Sequence, residues 1–209
     1  MPRKNLIRSQ LLPYHVTARA NNQAWFTLPM ETVWSLCQRS LKEAYEKHKV
    51  EVISFVLMSN HYHMLVRTPE ANLDSFMYEF NKRLAFSLKQ YSGFSNHILG
   101  SRYKWCLIQS QNYFGNCYRY IYQNPLRAKI TDRCENYPYS TLFYIHSHKT
   151  FSIPLFDQMG FKDPFVLNWL NEAIHEEEVT MIRKGLRRFE LKEMKTATRR
   201  LYAAAIQKS

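Results

Sequence analysis

Residues 55–66 read Phe55-Val56-Leu57-Met58-Ser59-Asn60-His61-Tyr62-His63-Met64-Leu65-Val66. Two apolar runs flank Ser59-Asn60, a turn signal, and this predicts a β-hairpin. Side chains alternate faces along a strand, which sets His61 and His63 on one face and Tyr62 on the other. Two imidazoles so spaced can converge on one divalent metal ion, for which imidazole is a suitable ligand. His-x-His also arises by chance, and the same pair can sit on a sheet surface bonded to neighbours or water.

On the N-terminal side, residues 1–12 form a basic arm with Arg3, Lys4 and Arg8. Tyr14 to Ala20 is β-prone and gives the first strand, with Asn21-Asn22 as a turn. Between Pro29 and His48, Val33, Leu36, Cys37, Leu41, Ala44 and Tyr45 recur at helical spacing. The hairpin follows at 51–58 and 61–67 and ends at Thr68-Pro69. Leu73, Phe76, Met77, Phe80, Leu84 and Leu88 mark a second helix over 72–91, with Gly93 beyond its end. A fourth strand is expected at 102–108 and a third helix at 110–123, stopping at Asn124-Pro125 because a residue before proline disfavours the helical region. The order strand, helix, strand, strand, helix, strand predicts an α+β, ferredoxin-like antiparallel sheet with helices packed on it. Residues 1–149 are expected to form this domain and 150–209 a basic helical C-terminal appendage, with helices at 164–182 and 187–206. The basic side chains assigned to the last helix, Lys184, Arg187, Arg188, Lys192, Lys195, Arg199 and Arg200, suit either phosphate contacts or a solvated face.

The 209 residues carry 29 Lys+Arg against 17 Asp+Glu, a formal net charge of +12. Such an excess favours a polyanionic partner, nucleic acid before an anionic membrane. A hydrophobic fraction of 45% with only 5 glycines and 8 prolines excludes a linker-rich or low-complexity chain. The four cysteines, Cys37, Cys106, Cys117 and Cys134, form no Cys-x-x-Cys, as expected in a reducing compartment. No signal-peptide-like run and no stretch of 18 apolar residues occurs, so a cytoplasmic location and no membrane partner are expected.

About sixty residues beyond the hairpin stands Tyr118-Arg119-Tyr120-Ile121-Tyr122-Gln123-Asn124-Pro125-Leu126-Arg127-Ala128. Tyr120 and Asn124 are spaced i, i+4 and share a helix face. A tyrosine phenolate can attack a phosphodiester, and an amide oxygen can complete a mixed nitrogen and oxygen metal site. An aromatic-rich packing helix with Asn124 as its C-terminal cap would leave the same pattern.

The hairpin segment resembles the His-hydrophobic-His signature of single-tyrosine transposases. Tyr120-Ile121-Tyr122-Gln123-Asn124-Pro125-Leu126-Arg127-Ala128 resembles the Tyr-Ile-x-x-Asn-Pro-x-Arg-Ala segment of REP-associated tyrosine transposases. His15-Val16-Thr17-Ala18-Arg19 and Tyr137-Pro138-Tyr139-Ser140 resemble that group's first-strand and post-helix motifs. The likeness covers residues 10–145 in the expected order. It departs at Ala20, where the group usually has glycine, and mildly at Tyr139.

The resemblance implies a metal-dependent enzyme that cleaves and rejoins single-stranded DNA near hairpins. Tyr120 would be the nucleophile and form a 5′-phosphotyrosine intermediate. His61, His63 and Asn124 would hold Mg²⁺ or Mn²⁺, and Arg19, Lys104 and Arg127 would contact DNA. Tyr118 and Tyr122 point to other helix faces and are weaker nucleophile candidates. The alternative is a binding protein on the same fold that has lost cleavage. Whether the site lies within one chain or across a homodimer is open at this level.

Overall fold

A computed structural model describes residues 5–23, 26–93, 98–100, 102–160, 163–188 and 190–191. The basic arm's Arg3 and Lys4 and the segment from 192 onward fall outside the described residues, as does most of the expected helix at 187–206.

The expected α+β arrangement is present. Strands β1 (Tyr14–Arg19), β2 (Glu51–Leu57), β3 (His61–Arg67) and β4 (Lys104–Ile108) alternate with helices α1 (Met30–Lys47) and α2 (Leu73–Ser92). The spatial order is β2-β3-β1-β4, all neighbours antiparallel, which is the ferredoxin-like topology. Helices α1 and α2 pack together on one face. Val33, Trp34, Leu36, Cys37, Leu41 and Ala44 recur every third or fourth position of α1 and bury this face against Val16, Phe55, Tyr62 and Met64. Phe55 lies against Trp34, Tyr62 and Phe80, with ring centroids 5.8, 5.5 and 6.2 Å away. Truncating it to alanine removes packing worth about 3–5 kcal/mol. Gly93 terminates α2 in the left-handed region (φ 67°) and returns its N–H to the Lys89 carbonyl.

The opposite face is covered by α3 (Gln111–Tyr122), α4 (Asn124–Arg127), α5 (Thr141–His146), α6 (Pro164–Asn171) and α7 (Glu176–Leu186). Their apolar residues, among them Tyr118, Ile121, Leu142, Leu170, Val179 and Ile182, form a second cluster with Val56, Leu65 and Cys106 of the sheet. Three expectations need correction here. Helix α3 ends at Tyr122, close to the expected 123, but not because the chain leaves the helical region before Pro125. Gln123 keeps a helical backbone (φ −80°, ψ −2°), and Pro125 lies in the first turn of α4, where a missing N–H costs nothing. The single helix expected at 164–182 is two helices, because Glu172 is extended (φ −60°, ψ 138°) and α7 restarts on Glu176, Glu177 and Glu178, carboxylates suited to a helix N-terminus. Nor does a helix begin at 187: Glu190–Leu191 is a short strand, β5, parallel to β4.

The departures from the resembled motifs carry no strain. Ala20 is not among the positive-φ residues and gives its N–H to the Asn60 carbonyl at 2.8 Å. Gly100, by contrast, is required: a Cβ there would lie 2.9 Å from the Asn21 Cα. The Tyr137-Pro138-Tyr139-Ser140 motif fastens the chain to β2, with the Tyr137 hydroxyl donating to Leu57 O (2.8 Å) and Ser140 Oγ capping α5.

Candidate active site

Register assembles the site. On β1 and β3, Arg19 lies opposite His61 and Thr17 opposite His63; Thr17 also lies opposite Lys104 of β4. Directly opposed residues share a face, so His15, Thr17, Arg19, His61, His63 and Lys104 all point to the side covered by α3. Tyr62 points the other way and is fully buried, with its hydroxyl on Asn81 Oδ1 at 2.7 Å. From α3 and α4, Tyr120, Asn124 and Arg127 stand at i, i+4 and i+7 and meet this surface. All seven residues singled out from the sequence, Arg19, His61, His63, Lys104, Tyr120, Asn124 and Arg127, line one cleft of about 780 Å³.

Within it, the Tyr120 ring stands perpendicular to His63, with centroids 5.7 Å apart, and His61 is perpendicular to His63 at 5.0 Å. The Arg127 guanidinium lies 4.5 Å from the Tyr120 ring centroid, a cation–π arrangement. Its Nη2 donates to the Tyr120 carbonyl and to Asn124 Oδ1, both at 3.0 Å. Asn124 Nδ2 in turn donates to the Tyr120 carbonyl at 3.0 Å and the Ile121 carbonyl at 3.1 Å, which fixes the amide orientation. Arg127 Nε and Nη1 are buried without an acceptor among the described residues. Tyr118 and Tyr122 are occupied elsewhere, on Ile53 O at 3.3 Å and on Thr141 Oγ1 at 2.8 Å.

The histidines are neutral at physiological pH. Burial pushes His15 down to about 3, and burial, aided by Arg19, pushes His61 down to about 4. Burial, and then the neighbouring His15, His61, Arg127 and Arg19, hold His63 well below the ordinary histidine value. Neutral imidazoles keep a lone pair for a metal. His61 Nδ1 donates to Asn60 Oδ1 at 2.6 Å, which leaves its Nε2 free to bind. Among the described residues no three His, Cys, Asp or Glu side chains cluster as a metal site. A metal here would therefore rest on two imidazoles and the Asn124 oxygen, which has a second lone pair beside its bond to Arg127. That mixed donor set fits Mg²⁺ or Mn²⁺, with substrate or water oxygens completing the shell.

Of the lining residues, His15, which bonds to His63, and Arg183 of α7 were not singled out from sequence. Arg187, named from the sequence among the basic residues of the C-terminal segment, caps α7 and also lines the cleft. Among the described residues the charged side chains of the lining are Arg19, Arg102, Lys104, Arg127, Arg183 and Arg187, without a carboxylate. Their surplus of positive charge gives the cleft a field that attracts anions.

Comparison with known proteins gives the class. The family model described as transposase, IS200-like, matches residues 9–124, more than half of the 209-residue chain. The chain belongs to the IS200-like transposase family and is a transposase-like DNA-processing protein. A REP-associated tyrosine transposase, solved bound to a REP hairpin, superposes with a TM-score of 0.60 at 16% identity, over 75% of this chain and 93% of its own. A candidate transposase from Deinococcus radiodurans R1 reaches a TM-score of 0.38 at 13% identity, over 72% of this chain and 98% of its own. No curated protein matches the chain. Among the described residues no helix is long and apolar enough to cross a membrane.

Proposed function

We propose that the protein nicks and rejoins single-stranded DNA through Tyr120, with Mg²⁺ or Mn²⁺ held by His61, His63 and Asn124. The observation that carries this is a tyrosine ring set against His63 in a cleft whose charged lining, among the described residues, is cationic. The Tyr120 oxygen, on losing its proton to water, attacks a backbone phosphorus. The P–O3′ bond breaks, the departing 3′-oxygen takes up a proton, and the 5′-phosphate remains on Tyr120. A later 3′-OH reverses the exchange, so the phosphodiester energy is conserved without a nucleotide cofactor. When bound, the metal would polarise the scissile phosphate and favour in-line attack. Arg19, Lys104 and Arg127, with Arg183 of α7 and its C-cap Arg187, would bind the strand through its phosphates, and likeness to a hairpin-bound transposase supports a target strand near a hairpin.

The test is a suicide-substrate assay with labelled hairpin oligonucleotides from the DNA flanking the gene. Wild type and Tyr120→Phe are incubated with Mg²⁺, Mn²⁺ or EDTA. A denaturation-resistant adduct formed only by wild type with metal is the expected result. An adduct that survives in Tyr120→Phe moves the nucleophile to another tyrosine, and tight binding without any adduct favours a protein that binds but no longer cuts.

A further inference from the structure

His15 takes no direct part in the proposed reaction, yet it is buried beside the metal-binding pair (3% exposed). Its Nε2 lies 2.9 Å from His63 Nδ1, and the two rings are stacked with centroids 5.1 Å apart. Each neutral imidazole carries one N–H, and a contact of this length holds one hydrogen. Two arrangements satisfy it. If His15 Nε2 is the donor, His63 is protonated at Nε2 and its cleft-side nitrogen has no lone pair. If His63 Nδ1 is the donor, Nε2 of His63 presents a lone pair and His15 carries its own hydrogen on Nδ1.

Only the second arrangement lets His63 act as a ligand through Nε2. It also matches the neighbouring histidine, whose Nδ1 is held as a donor by Asn60. We propose that His15 is a positioning residue: by accepting from His63 Nδ1–H it fixes the tautomer and ring plane that turn His63 Nε2 toward a divalent cation. His15 on β1 and Asn60 in the hairpin turn thus do one task for two adjacent ligands. Strand register makes the pairing of the rings available, since His15 pairs with Leu65 and so stands one diagonal step from His63 on the same face.

This inference rests on the proposed metal site, so the experiment separates the two. Mn²⁺ uptake by the full-length chain is measured without DNA, by loss of the free-ion EPR signal, for wild type, His15→Leu and His15→Gln. Removing an outer partner of a ligating histidine lowers metal affinity about 10–100-fold, and that reduction is expected for His15→Leu. His15→Gln, whose amide oxygen can accept the same hydrogen, is expected to restore most of it. Wild type that takes up no Mn²⁺ sinks the metal site and this inference with it. Uptake by wild type that is unchanged in His15→Leu sinks this inference alone. Should His15→Leu fail to fold, the nitrogen chemical shifts of His63 in metal-free wild type decide. A proton on Nδ1 supports the role, and a proton on Nε2 overturns it.

Discussion

The Tyr120 ring is held by His63 and Arg127, while no hydrogen bond is assigned to its hydroxyl among the described residues. Tyr120→Phe should therefore abolish any covalent adduct yet change unfolding free energy by about 1 kcal/mol or less, as read by urea denaturation. A larger loss would mean that the oxygen supports the fold. Strand and helix periods showed that His61 shares a face with His63 and Tyr120 with Asn124, while their union in one site was implied only by the resemblance to single-tyrosine transposases. His15 was not legible as a site residue, as its partner is set by the pairing of β1 with β3, and nothing local to Tyr14-His15-Val16 specifies that register.

At the scale of the element, α7 shows where sequence reading stopped. The basic run that includes Arg187 was visible, but the place of Arg183, the break at Glu172 and the docking that brings both arginines to the cleft depend on packing of Val179 and Ile182 in the second core cluster. If both arginines meet phosphates, the double variant Arg183→Gln, Arg187→Gln should flatten the log–log salt dependence of single-strand binding by about 1.4, near 0.7 for each phosphate no longer neutralised. Fluorescence anisotropy across a salt series measures this, and an unchanged slope would remove α7 from the DNA path. The preceding helix is anchored by Glu135, which is buried and accepts from Asn171 Nδ2 at 2.8 Å and Arg133 Nε at 2.5 Å. Burial raises the Glu135 carboxyl, but hydrogen bonds from Asn171, its own amide and Arg133 prevail and hold it below the ordinary value. A carboxyl lowered on folding stabilises above its unfolded value, and the gain disappears as pH falls through the folded one. Glu135→Gln should thus lose about 1–3 kcal/mol near neutral pH, and its deficit relative to wild type should shrink below about pH 4 in thermal melts.

Across the whole molecule, the exposed border of the sheet is closed by the chain itself. The outer side of β2 is bonded to a distant segment: Leu57 N to Tyr139 O at 2.9 Å, Phe55 N to Thr141 Oγ1 at 2.8 Å, and Phe156 N to Val52 O at 3.0 Å. Thr141 Oγ1 also meets the Tyr122 hydroxyl at 2.8 Å; Thr141→Val removes this contact and takes the acceptor from the buried Phe55 N–H, and should cost about 1–3 kcal/mol in equilibrium unfolding. The four-strand order could be read from sequence because it follows from the alternation of elements. This border could not, since the residues that seal β2, Tyr139, Thr141 at the first turn of α5, and Phe156, show no strand periodicity in the sequence. The closure has a consequence for biosynthesis. Val52 is translated roughly a hundred residues before Phe156, and at about 5–20 residues per second the apolar β2 waits several seconds for its cover. During that interval the nascent chain carries an open strand edge on the ribosome, the kind of surface that chaperones shield and that crowded polysomes punish with aggregation.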